Sequence, residues 1–183
     1  GEIAADSGDG KVYLFYKDSS TPLWNYTTED TGDWVESVAI SADGEYIAVA
    51  SMNIVNIDGR KFYLFDKDSS TPLWSYNVRG PVGSVSISAD GKYIAASTHY
   101  GKVYLFDKDS STPLWSYETG NDVQSVAISA DGEYIAAGSW DNKVYLFDKD
   151  SNTPIWTYTT GGSLRSVDIS ADGEYIAVGS NDF

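Results

Sequence analysis

Residues 125–148 read Ser-Val-Ala-Ile-Ser-Ala-Asp-Gly-Glu-Tyr-Ile-Ala-Ala-Gly-Ser-Trp-Asp-Asn-Lys-Val-Tyr-Leu-Phe-Asp. Three short segments rich in Val, Ile, Tyr and Phe stand in this stretch, near Ser125–Ser129, Tyr134–Ser139 and Lys143–Asp148. Ala-Asp-Gly parts the first two, and a short loop at Trp140–Asn142 parts the next two. Composition of this kind, punctuated by turn residues, predicts strands rather than helix. A fourth segment, Ile155–Thr159, follows the turn cluster Asp-Lys-Asp-Ser-Asn-Thr-Pro. The four are labelled A to D. No window of the chain holds a helical period.

The stretch repeats. Tyr-Leu-Phe starts at 13, 63, 104 and 145, and Thr-Pro-Leu-Trp at 21, 71 and 112, returning as Thr-Pro-Ile-Trp at 153. Ser-Ala-Asp-Gly starts at 41, 88, 129 and 170. The first period is longer because residues are added at Thr28–Glu36 and at Met52–Arg60. Four antiparallel strands in about 41 residues make one β-propeller blade. A lone blade cannot cover both its faces, whereas stacked blades cover each other. Aromatics such as Tyr104, Phe106, Trp115 and Tyr117 are therefore expected between neighbouring blades. The fold class is all-β, a β-propeller of four-stranded antiparallel blades, about four per chain, with strand A nearest the axis. One repeat domain covers residues 1–183, as a whole propeller, half of one, or a piece of a longer array.

Residues 125–148 resemble a WD-repeat blade, but Phe147–Asp148, Phe106–Asp107 and Phe65–Asp66 stand where that family closes on Trp-Asp, and the first copy has Phe15–Tyr16. The Gly-His pair of that family is missing from every D-to-A loop, so its His–Ser–Asp–Trp network is not expected. The stretch Asp107–Trp115 is similar instead to the quinoprotein-type blade, whose late Trp docks between blades. The chain thus resembles a hybrid of two propeller families. The resemblance implies fold rather than function, because propellers host many functions.

The ends are out of phase with the blade. Glu2–Asp6 reads as a B strand followed by C and D, and Ser166–Ile169 with Tyr175–Ser180 read as A and B, giving 17 candidate strands. A composite blade would join the C-terminal A and B to the N-terminal C and D, hiding open edges. It could close a four-bladed ring within one chain or an eight-bladed ring between two. A head-to-tail array or an excised piece of a longer protein are the other readings. The first residue is Gly rather than Met, which implies processing or trimming.

The formal net charge of −15 and a pI near 4.1 oppose nucleic acid and anionic membranes as partners. No apolar run is long enough to insert in a membrane. There is no Cys, which removes disulfides, thiolate catalysis and Cys-based metal sites. The compartment stays open, with an extracellular or cell-surface setting favoured by an assembly role. Asn25-Tyr26-Thr27 fits a glycosylation triplet, which matters only on export.

The A-to-B and C-to-D turns are nearly alike in all copies, whereas the D-to-A and B-to-C loops differ. In an up-and-down blade the two variable classes emerge together on one face and the two uniform turns on the other, so a partner is expected on the diverse face. That face carries Trp34, Met52, Ile54, Arg60, Arg79, His99, Tyr100, Trp140, Asp141 and Arg165, with Asn121 and Asp122. Exposed Trp, Tyr, Met and Arg suit an interface; the competing reading is unconstrained drift. Asp66-Lys67-Asp68, Asp107-Lys108-Asp109 and Asp148-Lys149-Asp150 space carboxylates as calcium loops do, but lack the Gly and late Glu, and read as turns. His99 is the one histidine, and Ser and Asp sit in repeated turns, so no triad is expected. No cofactor, metal or catalytic residue is expected. The chain reads as a non-catalytic structural or interaction module that binds a protein or itself. The alternative is a small-molecule or carbohydrate binder using Tyr100 and Trp140.

Overall fold

A computed structural model describes residues 2–5, 10–28, 33–53 and 60–182. They form five antiparallel sheets and no helix. The first sheet holds β1 (Glu2–Ala5), β2 (Lys11–Tyr16) and β3 (Pro22–Thr27). The first complete blade holds β4 (Asp33–Ile40), β5 (Tyr46–Asn53), β6 (Lys61–Asp66) and β7 (Trp74–Asn77). The second holds β8 (Val82–Ile87), β9 (Tyr93–Thr98), β10 (Lys102–Asp107) and β11 (Trp115–Glu118). The third holds β12 (Val123–Ile128), β13 (Tyr134–Ser139), β14 (Lys143–Asp148) and β15 (Trp156–Thr159). The last sheet pairs β16 (Leu164–Ile169) with β17 (Ile176–Ser180). The A strands β4, β8, β12 and β16 stand side by side along the inner edge of the array.

The composite blade does not form within the chain. β1 lies against β2, with Ile3 opposite Phe15 and Ala4 opposite Leu14, and β16 and β17 stand as their own sheet. The physical reason is that β1 already supplies the hydrogen bonds of the inner edge of β2, so no edge is free there for β17.

The core is a series of slabs between sheets, and the period of two in the C strand builds it. In Lys-Val-Tyr-Leu-Phe-Asp of β10, Tyr104 and Phe106 pack toward the preceding blade while Val103 and Leu105 pack toward the following one. The D strands β3, β7 and β11 then lay a Trp and a Tyr on the next blade's rings. Trp74 and Tyr76 meet Phe106 at 5.3 and 5.2 Å between centroids, and Trp115 and Tyr117 meet Phe147 at 5.3 and 5.1 Å. The indole N–H closes the contact: Trp24, Trp74 and Trp115 donate to the carbonyls of Lys67, Lys108 and Lys149 at 2.7, 2.8 and 2.7 Å.

The Ser-Ala-Asp-Gly turns join the sheets a second time. Ala42, Ala89 and Ala130 each donate a backbone N–H to the matching Ala of the next sheet, Ala89, Ala130 and Ala171, at 3.0, 2.9 and 3.0 Å. The turn glycine is needed twice over. Gly132 has φ +76°, and a Cβ there would lie 2.5 Å from the ring of Tyr93 in the preceding blade. Gly91 and Gly173 receive Tyr46 and Tyr134 in the same way.

Replacing Gly132 with Ala is therefore expected to cost about 1–3 kcal/mol, from the positive φ and the displaced tyrosine. Gly179, where a Cβ would meet only Ser166 at 3.9 Å, should accept Ala with a change within about 0.5 kcal/mol. Urea denaturation of the two variants measures both.

Candidate functional site

On the face bearing the A-to-B and C-to-D turns, the repeated Asp residues fasten their own turns. In each A-to-B turn a serine hydroxyl donates to the Asp two residues on, as Ser129 Oγ does to Asp131 Oδ1 at 2.6 Å. That oxygen also accepts the Glu133 N–H at 3.0 Å. Hydrogen bonds from Ser41, Ser129 and Ser170 hold the carboxyls of Asp43, Asp131 and Asp172 below their ordinary pKa. In the C-to-D turns, Asp66, Asp107 and Asp148 each accept the N–H two residues on, at 2.8, 2.9 and 2.8 Å. The first carboxylate of each Asp-Lys-Asp is thus used to fasten a turn.

The opposite face holds the residues singled out by their variation. Ile54 lies outside the described residues. The other nine fall into separate groups rather than one site. Trp34 and Met52 are cross-strand partners on β4 and β5, and the Trp34 indole donates to Glu36 at 3.0 Å. The Arg60 Nε donates to the Asn53 carbonyl at 3.1 Å. His99 is half-buried and its backbone N–H donates to the Pro81 carbonyl at 2.8 Å. Trp140 carries the Arg165 guanidinium 4.8 Å above its ring.

Asp141 is a fastener. One carboxylate oxygen accepts the Gly120 N–H at 2.9 Å and the Tyr145 hydroxyl, and the other accepts the Lys143 N–H at 3.0 Å. Burial, and then the Asp141 carboxylate, push the Tyr145 phenol well above its ordinary pKa. Asn121 and Asp122 flank this contact, and the Asp122 carbonyl accepts the Trp140 N–H at 2.8 Å.

Arg79 and Tyr100 do meet. They line a cleft of about 410 Å³ between the first and second complete blades, together with Tyr76, Lys102, Tyr104 and Glu118. Tyr100 is 62% exposed and its ring lies over Gly80, where a Cβ would come within 2.5 Å. Tyr104 is buried, and that burial lifts its phenol to about 12. Trp140 is not part of this cleft. Sequence reading missed Tyr76, Lys102, Tyr104 and Glu118, because they sit at repeated strand positions and read as blade framework. The available signal was position 100, where Tyr replaces the Asp found one repeat later at 141 and again at 182.

A fold of stacked four-stranded antiparallel blades, tied by a docked tryptophan in the D strand, is that of a quinoprotein-like β-propeller repeat protein. The family model described as outer membrane protein assembly factor BamB matches residues 8–171, and the chain belongs to that family. A comparison with curated proteins finds no match.

Two outcomes are expected. A calcium chelator should leave the melting temperature unchanged within error, since the first carboxylate of each Asp-Lys-Asp serves a backbone N–H and the second accepts from the neighbouring Lys; a fall of several degrees would show that they hold a cation. The second concerns acid. The folded pKa of Asp131 lies below the ordinary 3.8, so its stabilisation is full above that pH and is lost as pH falls through the folded value. The stability difference between wild type and Ser129→Ala should therefore shrink below about pH 4, read by denaturation at a series of pH values.

Proposed function

We propose that this chain is a non-catalytic protein-interaction module that docks through an incomplete blade, filled by strands of a second copy. One contrast carries the reading. Trp24, Trp74 and Trp115 each find a carbonyl and a Phe ring on the next sheet, whereas Trp156 and Tyr158 are 41% and 65% exposed. The sheet of β16 and β17 covers the inner part of the third blade, and a C and D strand beside β17 would cover these two rings. Exposed aromatics next to an open strand edge invite pairing.

The occupant is argued from the chain itself. β2, Lys-Val-Tyr-Leu-Phe-Tyr, has the C-strand pattern of β10 and β14, and β17 has the B-strand pattern of β9 and β13. β1 is the four-residue Glu-Ile-Ala-Ala, and β17 the five-residue Ile-Ala-Val-Gly-Ser. β17 of one copy can displace β1 from β2 of another, with Phe15 and Tyr13 then receiving Trp156 and Tyr158.

The family's description as an assembly factor supports a role in holding protein partners. The WD-like half of each blade adds fold and selects no partner. A non-catalytic role is supported by where the perturbed groups lie: Asp43, Asp131 and Asp172 fasten turns, and Tyr145 with Asp141 fastens two blades.

Sedimentation velocity of residues 1–183 at tens of micromolar should show a dimer or larger species that dissociates on dilution. Trp156→Lys with Tyr158→Lys changes two exposed side chains and should give a folded monomer. A wild-type chain that stays monomeric, or a double variant that keeps the wild-type mass, would overturn the reading.

A further inference from the structure

The repeat supplies its own comparison for the cleft between the first and second complete blades. At the next interface, Asp141 bridges the Gly120 N–H and the Tyr145 hydroxyl. At the one after, Asp182 reaches the Gly161 N–H at 3.3 Å. The equivalent position in the cleft is Tyr100, whose ring turns aside over Gly80. Two donors are left over. The Tyr104 hydroxyl, the counterpart of Tyr145, and the Arg79 N–H, the counterpart of Gly120, have no hydrogen-bond partner among the described residues. Tyr104 is only 6% exposed, and it lines the cleft, where its hydroxyl is open to what enters there.

The charges agree with the donors. Lys102 and Glu118 are cross-strand neighbours in β10 and β11 and offset one another. The Arg79 side chain forms no ion pair among the described residues. The cleft thus carries an uncompensated cation on a chain of net charge −15. Its volume of about 410 Å³ lies within the range of small-molecule sites, and Tyr76 and Tyr100 supply ring surface.

We propose that this cleft binds a carboxylate, seated where the Asp141 carboxylate sits one interface later. The Tyr104 hydroxyl and the Arg79 N–H donate to it, and the Arg79 guanidinium supplies the opposite charge. The body of the ligand lies against Tyr76 and Tyr100. An acidic sugar and an aspartate side chain of a peptide share this chemistry. The site lies between two complete blades and does not depend on the assembly proposed above.

Calorimetric titration of the whole chain with glucuronate, with glucose and with an N-acetyl-aspartate amide tests it. One acid should bind at least about tenfold more tightly than glucose, and the acid that binds identifies the source of the carboxylate. Tyr100→Asp restores the fastener used at position 141 and should abolish that binding while keeping the fold. Arg79→Ala, an exposed change, should weaken it by about tenfold or more. Equal binding of glucose and glucuronate, no acid bound at about 10 mM, or binding that survives Tyr100→Asp would each overturn the proposal.

Discussion

The docked tryptophan is the contact on which the other features depend. Its ring lies on the next blade's Phe while its N–H reaches the next blade's C-to-D turn, so one side chain fixes both the spacing and the height of adjacent sheets. Burial of the ring supplies the larger part of the attraction. The hydrogen bond adds direction, and a buried indole N–H left without a partner would cost about 1–3 kcal/mol. A Phe in this position could give burial but not height. The alanine ladder and the tyrosines on Gly91, Gly132 and Gly173 then follow, because both need the turns of neighbouring sheets to lie at one level.

This contact also explains why the two faces differ. The A-to-B turns are linked from Ala42 to Ala171 by a chain of backbone hydrogen bonds, and the C-to-D turns at Lys67, Lys108 and Lys149 each accept an indole N–H from the preceding sheet, so a change in one copy would have to be matched in the next. Gly132 and Lys149 each have two obligations: Gly132 donates within its turn and receives the Tyr93 ring, and Lys149 pairs with Asp150 and accepts the Trp115 indole N–H. The D-to-A and B-to-C loops have few such ties. Tyr100 can replace Asp there because the loss falls on two donors in a cleft open to solvent. The freedom of that face and the appearance of a ligand-sized cleft on it have the same origin.

An unfilled docking position is the natural consequence of a repeat of this kind. Each blade presents a Trp and Tyr pair forward and a Phe and Tyr pair backward, so any sheet that has one side covered still offers the other. Trp156 and Tyr158 are chemically the same as Trp115 and Tyr117, and differ only in what stands before them. The surface that makes the core between blades is the one left exposed at Trp156 and Tyr158.

The sequence by itself determined the strands, their order within a blade and the rings between blades. β9, β10, β13 and β14 fall where the alternation and turn residues place them, because those signals are local and repeat in every copy. A few boundaries moved: β12 begins at Val123 and β16 at Leu164, two residues ahead of the serines read as their starts, where bulges in strand A extend the pairing. Only the tertiary structure decided which partner each end takes. β1 and β17 carry similar B-strand patterns, and the choice between them for β2 rests on which edge is already hydrogen-bonded. The tertiary structure alone also separated the variable residues into fasteners, such as Asp141, and cleft residues, such as Arg79 and Tyr100. Tyr104 and Tyr145 are the same residue in the same strand of the repeat. Whether that hydroxyl is satisfied depends on a side chain four positions away and on the N–H of another blade, and no reading along the chain brings those three groups together.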